Sequence, residues 1–191
     1  DGKNKNVLYA KFHNINDNLG YIDSRKQVYV PEYYNLIKDN PVLIDLKNRL
    51  TSGESFTVYD FDGIEHYLKQ NDDKVYVVNF WATWCAPCVK ELPYFDQIQQ
   101  DFKENVEVVL ISLDFPSQYE SKLIPFLEKK QLTSKVIVLD DTDMNSWIPK
   151  IDSEWDGAIP VTLIYNKDQR QFYPQSFTYD ELSSEVRKFM N

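Results

Sequence analysis

Segments with strand-like and helix-like patterns alternate from residue 54 to the end of the chain. Lys74–Trp81 (KVYVVNFW) is almost wholly β-branched or aromatic, which predicts a central strand covered on both faces. Val106–Leu113 predicts a second apolar strand of similar length. The shorter predicted strands are Phe56–Tyr59, Val136–Leu139, Val161–Tyr165 and Gln171–Tyr173, and the last two form a hairpin around a turn.

Apolar residues at three- and four-residue spacing predict helices between these strands. The clearest helix follows Cys88 and has on one face Val89, Leu92, Phe95, Ile98 and Phe102. Asp60 is a candidate N-cap, and Thr178 with Glu181 has the spacing of a capping box. The other predicted helices cover Phe61–Gln70, Ser117–Gln131, Thr142–Lys150 and a final stretch that ends at about Phe189.

The order of these elements predicts an α/β fold. Strands that alternate with helices imply a mostly parallel sheet with helices on both faces. Residues 1–53 are harder to interpret and suggest only short strands and helices, which end at Gly53. We therefore expect an N-terminal extension over residues 1–53 and a main domain over residues 54–191.

Composition excludes several classes of protein. The chain has 191 residues, of which 42 % are apolar, so it has enough material for a hydrophobic core. Its net charge of −9 gives no counterion-release gain on a phosphate backbone, so nucleic acid is not an expected partner. No apolar run approaches about 18 residues, so we expect no transmembrane segment. Position 1 is Asp, which suggests a mature or trimmed form, as a removed signal or lipoprotein leader would explain.

The cysteines concentrate the candidate chemistry in one place. The chain has two, Cys85 and Cys88, after a buried strand and at the start of a helix. At a helix N-terminus, unpaired backbone N–H groups and the helix dipole favour a thiolate, so Cys85 is the candidate nucleophile. Cys88 lies within one turn and can resolve a mixed disulfide. Pro87 lies in the first turn, where its missing N–H costs nothing.

No cofactor or metal is expected. Two thiols do not complete a four-ligand zinc site, and the two histidines, His13 and His66, are distant in sequence. An inert small-loop disulfide is the alternative interpretation of the two cysteines.

Two motifs resemble the thioredoxin superfamily. The segment WATWCAPC, which ends at Cys88, resembles the family's active-site segment, and GAIPVT, at residues 157–162, resembles its loop with a cis-proline. The resemblance implies a thioredoxin fold with a central mixed sheet. It also implies that Pro160 faces Cys85 and that Ile159 offers backbone hydrogen bonds to a bound chain.

Further residues resemble one branch of that superfamily. NFWATWC, with Glu91 and Pro93 downstream, is similar to the TlpA/ResA/CcmG-like group of extracytoplasmic bacterial thiol-disulfide oxidoreductases. WDGAIP, at residues 155–160, is similar to Bacteroidetes-type members of that group. This resemblance covers residues 54–191 and leaves residues 1–53 unexplained. It implies a periplasmic or cell-envelope location.

The chain departs from the superfamily pattern beneath the cysteines. The buried Asp of cytosolic thioredoxins is replaced by Asn79, which does not titrate. Glu91 matches an acidic position of the TlpA-like group and is the candidate proton acceptor for Cys88, with Glu154 and Asp156 as weaker candidates. The alternative for Glu91 is a solvated carboxylate on the helix surface.

A substrate-binding surface is expected around the first cysteine. Trp84 is predicted to be an exposed aromatic residue that contacts partners. Ala86 and Pro87 between the cysteines, and Ile159 and Pro160 in the proline loop, are assigned to the same surface. Trp147 and Trp155 either line this surface or pack in the core.

These features predict a thiol-disulfide oxidoreductase that acts on protein disulfides. The uncharged Ala86-Pro87 pair favours the reducing direction, with disulfide- or thiol-bearing proteins as substrates. The resemblance to the TlpA-like group implies a membrane electron donor that recharges the enzyme. One alternative is a peroxide-reducing redoxin, although Ala82 stands where such enzymes place Thr, three residues before the nucleophile. Another alternative is a non-catalytic thioredoxin-like binding module.

Overall fold

The structure is a computed structural model that describes residues 56–190. Strands β1 to β6 are Thr57–Tyr59, Val75–Trp81, Val106–Ser112, Lys135–Leu139, Val161–Tyr165 and Arg170–Tyr173. Helices α1 to α5 are Phe61–Ile64, Ala86–Asp101, Ile124–Lys130, Met144–Ile151 and Tyr179–Phe189. The N-terminal extension expected over residues 1–53 lies outside the described residues and stays a prediction.

The strands form one mixed sheet in the order β1-β4-β3-β2-β5-β6. The pairs among β1, β4, β3 and β2 are parallel, whereas β5 is antiparallel to both β2 and β6. This arrangement confirms the predicted thioredoxin-like α/β fold and the predicted hairpin. Strand β2 lies between β3 and β5, and Asn79 in its middle is paired with Leu110 on one side and Thr162 on the other.

Every residue of β2 is buried, as its apolar composition predicts. Side chains of a strand alternate between the two faces of the sheet. Val75 and Val77 belong to the core cluster that also contains residues of α2 and α5. Phe80 faces the other side, where its ring packs on Trp155 with the centroids 5.2 Å apart. Helices α2 and α5 therefore cover one face, Trp155 in the loop after α4 packs on the other, and the cysteine segment follows the C-terminal end of β2.

Helix α5 begins with the capping box that the sequence predicts. The backbone N–H of Glu181 donates to the Thr178 hydroxyl, and the Glu181 carboxylate accepts from the Thr178 N–H at 2.8 Å. These reciprocal bonds satisfy backbone donors that the first helical turn leaves unpaired. Leu182 and Val186 then point into the core that α5 shares with α2.

Two predicted helices differ from the structure. The one expected over Phe61–Gln70 is α1 followed by a 3₁₀ turn at Glu65–Leu68. The one expected over Ser117–Gln131 is a 3₁₀ turn, a π-helical turn at Tyr119–Leu123, and then α3. Pro125 explains the second difference, because it has no N–H to donate to the preceding turn and is accommodated in the first turn of a new helix.

Candidate active site

Cys85 is the N-cap of α2, and its side chain is joined to Cys88 by a disulfide. The Cα atoms of the two residues are 5.3 Å apart. The backbone N–H of Cys88 also donates to Cys85 Sγ at 3.3 Å. The sulfur thus occupies the place that a Ser or Asp oxygen takes in an ordinary helix cap, where backbone donors and the helix dipole stabilise negative charge.

The two sulfurs differ in their access to solvent. Both cysteines belong to the core cluster, but Cys85 keeps 6 % of its residue surface exposed, whereas Cys88 is fully buried. Ala86 and Pro87 between them are exposed. Cys85 therefore keeps a small contact with solvent next to two exposed residues, whereas Cys88 has none.

The proline loop lies directly beside the Cys85 sulfur. The Ile159–Pro160 peptide bond is cis, and the Ile159 carbonyl oxygen is 3.7 Å from Cys85 Sγ. Gly157 has φ of +90°, a conformation that residues with a side chain rarely adopt. A hydrogen bond from a buried side chain fixes the loop, because the Trp155 indole N–H donates to the Ala158 carbonyl at 2.8 Å. The structure thus brings together the two motifs that the sequence separates by about 70 residues.

Glu91 is buried in a polar network beneath the helix that carries the cysteines. It is only 2 % exposed, so the alternative of a solvated surface carboxylate is wrong. Its Oε2 accepts from the Phe177 N–H at 2.8 Å and its Oε1 accepts from the Asn79 amide at 3.0 Å. Burial raises the pKa of Glu91 to about 7, although the two hydrogen bonds oppose that shift. The carboxyl group therefore titrates near neutral pH.

Asn79 connects this carboxyl group to the strand that follows the proline loop. Its Nδ2 also donates to the Thr162 hydroxyl at 3.1 Å and to the Val161 carbonyl at 3.3 Å. Its Oδ1 is buried and has no hydrogen-bond partner among the described residues. Three acceptors thus surround the amide nitrogen, while the carbonyl oxygen can accept a hydrogen bond from a further donor.

Asp114, a buried carboxylate just after β3, is a site residue that sequence reasoning missed. It accepts the Thr83 N–H at 2.9 Å, the Thr83 hydroxyl, and the Ser112 hydroxyl at 2.8 Å. Thr83 immediately precedes Trp84, so Asp114 fixes the loop that leads into the cysteines. The available signal was an acidic residue at the end of an apolar parallel strand, where side chains meet at the edge that carries the site.

The tryptophans are divided between the surface and the core. Trp84 is 49 % exposed beside Cys85, and its ring stacks on that of Phe115 with the centroids 6.3 Å apart. Trp147 and Trp155 are buried and pack on each other, so the alternative that they line the surface is wrong. Glu154 and Asp156 are exposed on the loop between α4 and β5, and Asp156 accepts the Ala158 N–H there.

Residues 56–190 contain no group of three His, Cys, Asp or Glu side chains placed to hold a metal ion. The same residues include no helix long and apolar enough to cross a membrane.

A family model described as the AhpC/TSA family matches residues 52–170, which is more than half of the chain. The chain belongs to the AhpC/TSA family. The match begins just before β1 and ends at the start of β6, so it includes the cysteines, Glu91 and the proline loop.

Curated relatives of this AhpC/TSA chain carry the ResA name. Thiol-disulfide oxidoreductase ResA of Geobacillus thermodenitrificans is 29 % identical over 119 residues, covering 62 % of this chain and 63 % of the relative. A protein of the same name from Bacillus cereus is 34 % identical over 115 residues, covering 60 % and 61 %. These matches confirm the resemblance to the ResA-containing group. The AhpC/TSA chain nevertheless spans less than two thirds of the length of either relative.

A solved structure supports the fold of this AhpC/TSA domain. The thiol:disulfide interchange protein of the thioredoxin family from Chlorobium tepidum TLS superposes with a TM-score of 0.53 at 19 % identity. The superposition covers 72 % of this chain and 94 % of the other. At that identity the likeness establishes the thioredoxin-like fold alone.

Proposed function

We propose that this protein is a thiol-disulfide oxidoreductase that exchanges its Cys85–Cys88 pair with disulfides of other proteins. The observation that carries the proposal is the unequal access of the two sulfurs at a helix N-terminus. The Cys85 sulfur caps the helix and its residue keeps 6 % exposure beside the exposed Ala86 and Pro87, while Cys88 is fully buried. The ResA relatives, which are named thiol-disulfide oxidoreductases, support the same activity.

The reaction starts from the reduced protein. The Cys85 thiolate attacks one sulfur of a substrate disulfide, forms a mixed disulfide and releases the other substrate sulfur as a thiolate. The N–H of Cys88 and the helix dipole stabilise the Cys85 thiolate before the attack. Cys88 then attacks Cys85 Sγ, which closes the internal disulfide and releases the second substrate thiolate. Two electrons have then passed from the protein to the substrate disulfide.

Glu91 is the group that we assign to take the proton from Cys88 in the second step. Cys88 attacks as a thiolate, so its proton must leave before or during the attack. Glu91 lies three residues further along α2 and therefore on the same face of the helix. With its pKa raised to about 7 by burial, it is partly ionised at neutral pH and is matched to a proton transfer there. A carboxylate with an ordinary pKa would be a weaker base.

The substrate polypeptide is assigned to the surface around Cys85. Trp84, Ala86 and Pro87 are exposed on one part of this surface, and Ile159 and Pro160 are half-buried in the adjoining loop. Ile159 precedes the cis bond and contributes backbone groups for hydrogen bonds with an extended chain. The approach of its carbonyl to Cys85 Sγ places those groups next to the reacting sulfur.

The reducing direction is the one that the cysteine segment favours. Ala86 and Pro87 add no positive charge that would stabilise the thiolate and so make the protein a strong oxidant. In this role the protein donates electrons to envelope or periplasmic proteins and is recharged by a membrane electron donor. Equilibration with glutathione or dithiothreitol buffers at pH 7 checks this point. We expect a potential of roughly −270 mV, and a value of roughly −120 mV would indicate a disulfide donor instead.

Two cysteine variants test the chemistry. Cys88→Ser should accumulate a mixed disulfide with a disulfide-bonded protein such as insulin, because the resolving thiol is missing. Cys85→Ser should neither form that adduct nor turn over. Mass spectrometry of the quenched reaction detects the adduct. Turnover by Cys85→Ser, or an adduct at Cys88 in that variant, would contradict the assignment. Fast consumption of hydrogen peroxide by the wild type, in place of protein disulfides, would support the peroxide-reducing alternative.

A further inference from the structure

Two exposed aromatic rings form a flat surface next to the reactive sulfur. Within residues 56–190, the large apolar side chains that are exposed are Trp84, Phe115, Met144 and Met190. Trp84 and Phe115 are stacked nearly parallel, at an interplanar angle of 14°, although Phe115 is 60 % exposed. We call this pair the aromatic shelf. Rings exposed to water in this way do not contribute the free energy of burial to folding. That free energy becomes available when a partner covers them.

Hydrogen bonds to the buried Asp114 carboxylate hold the two rings side by side. Each ring is on the residue that follows an anchored one, since Trp84 follows Thr83 and Phe115 follows Asp114. The Asp114 carboxylate accepts both the N–H and the hydroxyl of Thr83. It also accepts the Ser112 hydroxyl at the end of β3. The loop after β2 and the loop after β3 are therefore joined beneath the shelf, and the rings need no rearrangement to receive a third group.

The surroundings of the shelf favour an apolar occupant. The segments around the sulfur are ATWCAPC at residues 82–88, FPS at residues 115–117 and GAIP at residues 157–160. None contains Asp, Glu, Lys, Arg or His, and the charged residue next to them in this loop is the exposed Asp156, which accepts the Ala158 N–H. The two rings of the shelf carry no charge, and an aromatic side chain can stack on them.

We infer that the aromatic shelf binds an aromatic or large aliphatic side chain lying one or two residues from the substrate cysteine. Successive Cα atoms are about 3.8 Å apart, so only a close neighbour of the cysteine bonded to Cys85 can reach the residue before Cys85. Phe115 is then a specificity residue that the sequence did not indicate. The inference rests on the proposed disulfide exchange and adds the kind of substrate segment that the site prefers.

Peptide disulfides measure this preference directly. Symmetrical disulfides of short peptides with Phe, Gly or Lys beside the cysteine are mixed with the reduced full chain at moderate salt. Each reaction converts one peptide disulfide to two peptide thiols and oxidises one Cys85–Cys88 pair, so released thiol gives the rate. We expect the Phe peptide to react about 2- to 10-fold faster than the Gly peptide, the range that one aromatic pair supplies.

Variants at exposed positions assign the preference to the shelf. Phe115→Ser should reduce the Phe-to-Gly rate ratio toward 1, and Phe115→Tyr should retain it. Met144→Ser, which removes another exposed apolar side chain, is the matched control and should keep both the ratio and the exchange rate. Because Phe115 is 60 % exposed, its replacement should leave the fold intact, which circular dichroism checks.

Several outcomes would overturn the inference. A wild-type ratio near 1, an unchanged ratio in Phe115→Ser, or a Lys peptide that reacts fastest would each show that the shelf does not select the segment. Self-association that is lost in Phe115→Ser would make a second copy the occupant, and vesicle binding lost in that variant would make it a membrane surface. If the wild type reduces none of the peptides, the proposed function fails. If it reduces all of them equally, only the shelf inference fails.

Discussion

At the scale of single residues, the pKa of Glu91 is set by opposing effects. Burial disfavours its charge, while the Phe177 N–H and the Asn79 amide favour it. The outcome is a carboxyl group that exchanges its proton near neutral pH. Asn79 in the central strand does not titrate, so the ionisable group of this network lies on the helix that carries the cysteines.

Glu91→Gln tests the assigned proton transfer. In the wild type, resolution of the mixed disulfide by Cys88 should accelerate as pH rises through about 7, because Glu91 becomes ionised. In Glu91→Gln, resolution should depend on ionisation of the Cys88 thiol itself. We expect it to be at least tenfold slower at pH 7 and to approach the wild type above about pH 9. Quenched-flow measurement of the mixed disulfide gives this pH profile.

Glu128→Gln is the matched control, because Glu128 is an exposed carboxylate on α3. It should leave the profile unchanged. A wild-type profile in Glu91→Gln would show that another base serves Cys88.

The position of Glu91 was predicted from the sequence, but its burial was not. Spacing places it three residues after Cys88, and only packing against Phe177, 86 residues away in the chain, encloses it. Asp114 was missed for the same reason, since its partner Thr83 is 31 residues away. Hydrogen bonds between distant segments leave no periodic pattern in a sequence. Cys85, Cys88 and Pro160, by contrast, belong to short motifs and could be identified locally.

At the scale of helices and strands, predictions were correct where a single sequence pattern defined the element. β2 was predicted from its apolar residues, and α5 from its capping box. The region Ser117–Gln131 was predicted as one helix because its apolar spacing is helical, but Pro125 interrupts the hydrogen-bond ladder. The hairpin β5–β6 was predicted, but its place beside β2 was not, since the pattern of a strand does not identify its neighbour in the sheet.

Thr178→Ala tests the capping box of α5. The substitution removes the hydroxyl that accepts the Glu181 N–H, and we expect it to lower the free energy of unfolding by about 1 kcal/mol. Urea denaturation followed by circular dichroism measures the change. Thr142→Ala on an exposed bend is the control and should stay within about 0.5 kcal/mol of the wild type. Equal effects of the two substitutions would show that the cap contributes nothing measurable.

At the scale of the whole molecule, the buried Glu91 and the partly buried Asp96 set opposite trends of stability with pH. The folded protein holds the Glu91 proton to about pH 7, whereas the unfolded chain releases it near the ordinary pKa of 4.5. Glu91 therefore stabilises the fold fully below pH 4.5, and this contribution is lost as pH rises to about 7. Asp96 behaves in the opposite way. Burial alone would raise the pKa of Asp96, but hydrogen bonds from Ser134 and Thr133 lower it by a larger amount. The stabilisation that Asp96 gives to the fold is therefore lost at acid pH.

The difference between wild type and Glu91→Gln isolates the first trend. Relative to the variant, the wild type should lose about 3 kcal/mol of unfolding free energy between pH 4.5 and 7, which is the shift of its pKa in energy units. The neutral Gln keeps an oxygen for the Phe177 N–H and can donate to Asn79 Oδ1 after rotation of the Asn79 amide. Urea titrations of both proteins at several pH values provide the comparison. Parallel curves would show that Glu91 ionises with an ordinary pKa in the folded protein.

The division of the four tryptophans between core and surface has a practical consequence. Trp81, Trp147 and Trp155 are buried, whereas Trp84 is exposed and adjoins the disulfide in the chain. A disulfide quenches the fluorescence of a neighbouring indole, and water shifts the emission of an exposed one to longer wavelength. Reduction of Cys85–Cys88 should therefore brighten the long-wavelength part of the emission spectrum, while Trp147 and Trp155, which lie outside the core cluster of the two cysteines, provide an internal reference. The fluorescence of Trp84 should therefore report the redox state of the protein without a dye attached to either cysteine.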